Sequence, residues 1–305
     1  MREKLQNIVK IACIGECMVE LSGIGHSTIG FAGDTMNTAV YLSRLLDPAG
    51  FEVSYLTRLG TDNFSTRAVE FLSREGIATG HIGRDPDRNI GLYAIDLDDT
   101  GERSFTYWRG QSAARGMFGN GLPALSDLSA FDVIFLSAIT LAILPPDART
   151  DLIAACGVAR DQGRIVAFDS NYRPGLWDSA QDARDTMDQM WGNCSIAMPS
   201  LDDELTLYPE LTLNQILKRI AAFGVDEVAL KSGEIGPTLW PEQASGHFSA
   251  AVKVVDTTGA GDSFDAGYLA ARLLGETQVN AATMGHNLAL KVIAKPGAII
   301  SAGSR

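Results

Sequence analysis

Val133-Ile134-Phe135-Leu136-Ser137, then Asp147–Asp161, then Ile165-Val166-Ala167-Phe168-Asp169: this stretch sets the architecture. Two short apolar, β-rich runs enclose a segment of helical length and amphipathic pattern. Such runs suit parallel strands buried on both faces, with the helix as the crossover between them. The rhythm continues downstream with a helix over Ala180–Trp191, a strand over Ser195–Met198 and a helix over Leu213–Phe223. A strand over Val228–Lys231 and a helix over Gly261–Leu274 follow. Upstream, Val9–Ile14 reads as a strand and Thr35–Leu46 as a helix whose apolar positions are Met36, Ala39, Val40 and Leu42. Val53–Leu59 is a strand, and Arg67–Glu75 a helix stopped by Gly76. The alternation predicts an α/β three-layer sandwich, a mainly parallel sheet with helices on both faces.

One region breaks the rhythm. Ile90–Ile95 and Arg103–Arg109 are β-like runs around Asp98-Asp99-Thr100-Gly101, a strong turn signal. A hairpin inserted between βα units does not fit a parallel core sheet, so it is expected to project as a small flap. The irregular, Gly-rich stretch Met18–Phe31 could supply neighbouring strands. No internal repeat, low-complexity tract or interdomain linker is evident.

Composition narrows the function classes. The chain has 305 residues, 46% of them hydrophobic and 20% charged, with 25 Lys+Arg against 37 Asp+Glu and a net charge of −12. Such an acidic protein has no global attraction for nucleic acid or anionic membranes. No apolar stretch approaches the roughly 18–20 residues that span a bilayer. The charged start Met1-Arg2-Glu3-Lys4 precedes an apolar run broken by Lys10 without a small-residue cleavage site, which argues against a secretory leader. Cys13, Cys17, Cys156 and Cys194 form no Cys-x-x-Cys pair and read as reduced, buried thiols of a cytoplasmic protein. His26, His81, His247 and His286 show no metal-ligand spacing. Neither a P-loop nor a complete dinucleotide fingerprint occurs: Gly23-Ile24-Gly25 lacks its third glycine and a following helix.

The chemistry concentrates in Val254-Val255-Asp256-Thr257-Thr258-Gly259-Ala260-Gly261-Asp262-Ser263-Phe264-Asp265-Ala266-Gly267. Gly259 and Gly261 let backbone amides turn inward, and the helix that follows presents its positive N-terminus, a place to hold phosphate. A carboxylate there would repel phosphate. Asp262 makes sense if it takes a proton from an attacking hydroxyl while the amides stabilise the transferring phosphoryl group. Taken as Gly-x-Gly-Asp alone, the same residues would equally be a glycine turn with an acidic first helical turn.

As a whole string, Asp256 to Tyr268 resembles the C-terminal signature of the ribokinase-like (PfkB) carbohydrate kinases, and the likeness runs over nearly the entire chain. It includes Gly15-Glu16-Cys17-Met18-Val19-Glu20-Leu21, Gly33-Asp34-Thr35-Met36-Asn37-Thr38-Ala39 and Leu59-Gly60-Thr61-Asp62-Asn63-Phe64. It continues through Gly91-Leu92-Tyr93, Thr100-Gly101-Glu102-Arg103, Tyr107-Trp108-Arg109, Asp169-Ser170-Asn171-Tyr172-Arg173 and Leu201-Asp202-Asp203-Glu204. These are the features of the subgroup acting on 2-keto-3-deoxygluconate. The resemblance implies a ribokinase-like sandwich in which 1–305 form a single kinase domain, with a β-lid from about 15–32 and 88–112. It implies transfer of the γ-phosphoryl of ATP to the sugar, with Asp262 as base and Gly259, Ala260 and Gly261 as anion hole.

The same resemblance places the sugar acid at Gly33, Asp34, Thr35, Met36, Asn37, Tyr93, Tyr107, Trp108, Arg109, Arg173 and Asp262. ATP falls to Asn171, Arg173, Lys231, Ser232, Gly233, Gly236, Gly259 and Gly261. Mg²⁺ accompanies ATP, with Asp203 acting through water where many relatives carry Asn-x-x-Glu and this chain has Ser200-Leu201-Asp202-Asp203. Asp256 and Thr258 stand where some relatives bind a monovalent cation, K⁺ among the candidates. Physical chemistry points the same way for the acid: an arginine offers a planar fork to a carboxylate, and ligands gather at the strand ends of open α/β sheets. A solvated surface role for Arg109 and Arg173, helix capping by Asp34, and a plain turn at Lys231–Gly236 stay open. So do a kinase of the same fold acting on fructose or ribose, an inactive sugar-binding regulator, and a homo-oligomer formed through the lid.

Overall fold

The computed structural model describes residues 8–22, 28–46, 50–97, 103–242 and 248–302. The turn at Asp98–Gly101, Gly23-Ile24-Gly25, His26, His247 and the first residues of the chain lie outside the described residues. The elements run β1 (Val9–Ile14), β2 (Met18–Ser22), β3 (Thr28–Ala32), α1 (Asp34–Leu46), β4 (Phe51–Gly60), α2 (Asn63–Arg74), β5 (Ile82–Asp85), β6 (Gly91–Leu97) and β7 (Arg103–Trp108). They continue with β8 (Val133–Ser137), α3 (Ala138–Ile143), α4 (Pro146–Asp161), β9 (Ile165–Asp169), α5 (Ala180–Trp191), β10 (Ile196–Ala197), α6 (Leu201–Leu207) and α7 (Leu213–Ala221). Last come β11 (Glu227–Leu230), β12 (Thr238–Trp240), α8 (Ala260–Leu273) and α9 (Gln278–Ile293).

Eight strands form the main sheet in the order β12-β11-β10-β9-β8-β1-β4-β5. Every pair in it is parallel except β11 with β12. The central strands are largely apolar because they face helices on both sides, with polar residues only near their ends (Lys10, Ser137 and Asp169). Ala12 and Ile14 of β1, Ile134 and Leu136 of β8, and Val166 and Phe168 of β9 pack with buried residues of α3, α4, α5 and α7. The alternate residues Ile11, Cys13, Val133, Phe135 and Ala167 pack with α1, α2, α8 and α9. This period-2 division makes a three-layer α/β/α sandwich. Each large aliphatic side chain buried in it contributes about 1.5–3 kcal/mol relative to exposure.

Boundaries moved where a local cap outweighed the apolar pattern. The second helix begins at Asn63 rather than near Arg67, because the Asp62 carboxylate accepts the Ser65 amide at 2.9 Å and starts the helix early. The strands β5 and β12 and the helices α3, α6 and α9 carry no clear periodic signal and were not expected. On the helical layer, α8 and α9 approach closely: a Cβ at Gly267 would lie 2.7 Å from the Gly285 Cα. Gly267→Val should therefore separate the two helices and lower the midpoint of thermal unfolding, at a cost of about 1–3 kcal/mol. A melting curve superimposable on that of the parent protein would show that the contact has slack.

The two extra hairpin strands join β2 and β3 in a separate four-stranded sheet of order β3-β2-β6-β7. β2 and β6 pair in parallel, and the other two pairs are antiparallel. The chain passes between the two sheets at four places: after β1, between β3 and α1, before β6 and after β7.

Candidate functional site

Two helix starts and the ends of three core strands converge. Gly259, at φ +76°, opens α8, and a Cβ there would stand 2.8 Å from the Ala298 carbonyl, so only glycine brings the backbone so close. The Ala260 amide donates to the Thr257 carbonyl at 3.1 Å, and the other first-turn amides of α8 have no intrahelical carbonyl within reach and carry the positive end of the helix dipole. Opposite, α1 begins at Asp34. The Gly33 carbonyl accepts the Asn37 amide at 2.7 Å, and any side chain at Gly33 would run into the Glu16 carbonyl.

The two starts are stitched at Asp262. Asn37 Nδ2 donates to Asp262 Oδ2 at 2.7 Å, and Thr38 Oγ1 donates to the Asp262 carbonyl at 3.1 Å. Burial, with Asp34 nearby, pushes the Asp262 carboxyl up to about 7. The Asn37 hydrogen bond and Lys231 oppose the rise, while Asp169 adds to it. Asp34 Oδ2 accepts Asn171 Nδ2 at 3.0 Å and also the Ser137 hydroxyl. Both contacts are tertiary, whereas capping of α1 was the alternative left open for this side chain.

Lys231, directly after β11, extends its ammonium beneath this point. Nζ lies 2.8 Å from Asp169 Oδ1 at the end of β9, and 2.9 and 3.0 Å from the two oxygens of Asp265 in α8. It also comes within 3.7 Å of where a Gly261 Cβ would be. Ser232–Gly236 then forms a 3-10 turn with positive φ at Gly233 (52°) and Gly236 (86°), tighter than an open loop. Arg173 Nη1 donates to the Tyr172 carbonyl at 2.8 Å and pairs with Asp203 at 3.4 Å, its side chain still half-exposed. The Asp203 carboxyl, which accepts the Tyr172 amide at 3.1 Å, is pushed up to about 6 by burial, against Arg173. Asp256 accepts the Thr258 amide at 3.0 Å and the Gly297 amide at 2.6 Å, tying the turn before α8 to the C-terminal segment.

On the small sheet, Tyr93 and Tyr107 are cross-strand partners with ring centroids 5.7 Å apart, and Phe105 lies beside both. The Tyr93 hydroxyl donates to Glu20. The guanidinium of Arg109 lies 6.0 Å from the Tyr107 ring centroid and forms an ion pair with Glu16, which is fully buried between the sheets. Burial pushes the Glu16 carboxyl up; Arg109 and Ser112 hold it down.

The structure thus brings together Gly33, Asp34, Asn37, Asn171, Lys231 and Gly259–Asp262, with Tyr93, Tyr107 and Arg109 grouped on the small sheet. Three expected sugar contacts point elsewhere. Met36 is buried in the core, the Thr35 hydroxyl is 3.1 Å from the Tyr55 hydroxyl, and Trp108 pairs with Leu92 on the sheet face opposite Tyr107. Sequence reasoning missed Glu16, Asp169 and Asp265 as parts of the network. An aspartate one helical turn after Asp262, within the otherwise apolar run Phe264–Ala271, was a usable signal for Asp265.

The chain matches the pfkB family of carbohydrate kinases over residues 9–304 and belongs to that family. It is a carbohydrate kinase. The 2-dehydro-3-deoxygluconokinase of Dickeya dadantii (strain 3937) is 44% identical over 307 residues, covering 95% of this chain and 96% of that protein. The 2-dehydro-3-deoxygluconokinase of Escherichia coli (strain K12) is 42% identical over 308 residues, covering 95% and 97%. Among solved structures, the fructokinase of Vibrio cholerae O395, determined with fructose, ADP and calcium ion, superimposes with a TM-score of 0.81 at 26% identity, covering 95% of this chain and 94% of that one. No helix among the described residues is long and apolar enough to cross a membrane.

Proposed function

We propose that the protein transfers the γ-phosphoryl group of ATP to the terminal hydroxyl of 2-keto-3-deoxy-D-gluconate, yielding the 6-phosphate. The observation that carries this reading is the Asp262 carboxylate, held by Asn37 at the start of α8 beside amides oriented to receive negative charge. Asp262 would take the hydroxyl proton. Gly259, Ala260 and Gly261 would receive the charge that develops on the phosphoryl oxygens. Gly33, Asp34 and Asn37 would orient sugar hydroxyls, and Arg109 with Tyr93 and Tyr107 would meet the carboxylate end. Asn171, Arg173 and the Lys231–Gly236 segment would border the nucleotide.

Among the described residues no group of three or more His, Cys, Asp or Glu side chains could cage a metal. Mg²⁺ would be carried largely by the phosphates of ATP and by water. Asp203, which accepts the Tyr172 amide at 3.1 Å beside Arg173, would hold one of those waters. Bound Mg²⁺ supplies charge neutralisation on the phosphates. The Asp256–Thr258 turn would take a monovalent cation, whose charge would reach the anion hole through the same backbone. The small sheet would close as a lid and exclude water.

A second reading, a neutral-sugar kinase, has one observation in its favour: Glu16 already neutralises Arg109. An ATP-consumption assay with 2-keto-3-deoxygluconate, its galacto epimer and fructose separates the two. The keto acids should be turned over with the higher kcat/KM. Preference for fructose would overturn the assignment, and no turnover of any sugar would revive a non-catalytic role.

A further inference from the structure

Asp169 and Asp265 have no role in the reading above, and the geometry in which they hold the Lys231 ammonium is specific. The ammonium is held by two carboxylates from different elements, at 2.8 Å by Asp169 and at 2.9 and 3.0 Å by Asp265. Asp265 is fully buried and Asp169 nearly so, at 0% and 4% exposure, which places the salt bridges out of water. Asp169 Oδ1 also accepts the Asn171 amide at 3.2 Å, Asn171 donates to Asp34, and one turn along α1 from Asp34 the Asn37 amide donates to Asp262. A closed circuit therefore runs from Asp262 through α1, the end of β9 and the end of β11, and returns along α8 through Asp265.

We propose that Lys231 and Asp169 are positioning residues for Asp262: the ammonium clamped by Asp169 and Asp265 ties the ends of β9 and β11 to the first two turns of α8 and sets the charge around the Asp262 carboxylate. This rests on the reading of Asp262 as the base. It assigns the Lys231 side chain to the carboxylates beneath the anion hole rather than to a phosphate of ATP. The groups that face Asp262 are Asp34 and Tyr41 from α1, Tyr93 from β6, Asp169 at the end of β9 and Lys231 after β11. Asp265 stands on its own helix. Lys231 is the cation among them, and it holds the Asp262 carboxyl down, whereas Asp169 pushes it up.

Removing the two charges should therefore move the acid limb of kcat/KM in opposite directions. A base works when ionised, so activity rises with pH through its pKa. Lys231→Met should displace the limb to higher pH, and Asp169→Asn to lower pH, each by at least about half a unit. Lys231→Arg, which keeps the charge, should return the limb toward its original position even where kcat is lower. KM for ATP is read beside the limb, because the Lys231–Gly236 segment borders the nucleotide in the reading above and a change in KM alone would not separate the two roles.

A purely structural role would lower kcat in both variants without moving their limbs apart, and that result overturns the proposal. So would a large rise in KM for ATP with an unmoved limb in Lys231→Met, which would return Lys231 to the phosphates. If Lys231→Met does not fold, the Asp169→Asn limb decides the question. Failure of the underlying reading looks different: the parent protein would then show an acid limb that persists in Asp262→Asn.

Discussion

Asp262→Asn is expected to lower kcat by about 10²–10⁴ while leaving the KM for the sugar nearly unchanged. The amide preserves shape and can still meet Asn37, but it accepts no proton from the attacking hydroxyl. Because the Asp262 carboxyl is pushed up to about 7, the parent activity should climb as pH rises through neutrality, and the variant's residual activity should lose that dependence. The loss of rate and the flattened pH profile are one prediction. Near-normal turnover in the variant would remove Asp262 from the mechanism.

Arg109→Ala should act on both binding and stability. Losing the guanidinium fork should raise KM for an acid sugar about tenfold to a hundredfold, the worth of a charge-assisted pair. It also strands Glu16, which is fully buried, and breaking such an ion pair from one side costs about 3–5 kcal/mol. The sign with pH is fixed. Glu16 without Arg109 has a folded-state pKa well above its ordinary 4.5, so the folded protein favours the protonated carboxyl. The deficit in Tm against the parent should be smallest below pH 4.5 and grow as pH rises. Adding Glu16→Gln should recover stability at neutral pH without recovering KM. If Arg109→Ala leaves KM unchanged and binding of ATP collapses, the small sheet does not bind the sugar.

The parts legible in the sequence share one property: their cause is local. Val133–Ser137 and Ile165–Asp169 announce themselves because a strand covered on both faces is a near-continuous apolar run, here up to the polar residues Ser137 and Asp169 at the ends. Gly259-Ala260-Gly261-Asp262 is legible because the amides and the carboxylate that would act on one phosphoryl group come from consecutive residues. β5, with two charged residues in Ile82–Asp85, and the three-residue β12 lack the length for a pattern to form. The network around Asp262 stayed hidden for a different reason. Asn37 is 225 positions away and Lys231 lies 34 before Asp265, so only the folding of the sheet makes them neighbours. Arg109 could be read as a carboxylate fork or a solvated surface residue for the same reason, since its partner Glu16 lies before β2 and is brought to it only by the pairing of the small sheet.

The single residue Gly33 between β3 and α1 leaves no slack in the connection. The small sheet is therefore joined by one residue to the first turn of α1, where the Asn37 side chain donates to Asp262. If the sheet binds the sugar as proposed, a displacement of it would reach the Asp262 carboxylate through this short backbone connection. For anyone grafting new specificity onto this scaffold, one residue inserted at Gly33 would uncouple the small sheet from the Asn37–Asp262 contact.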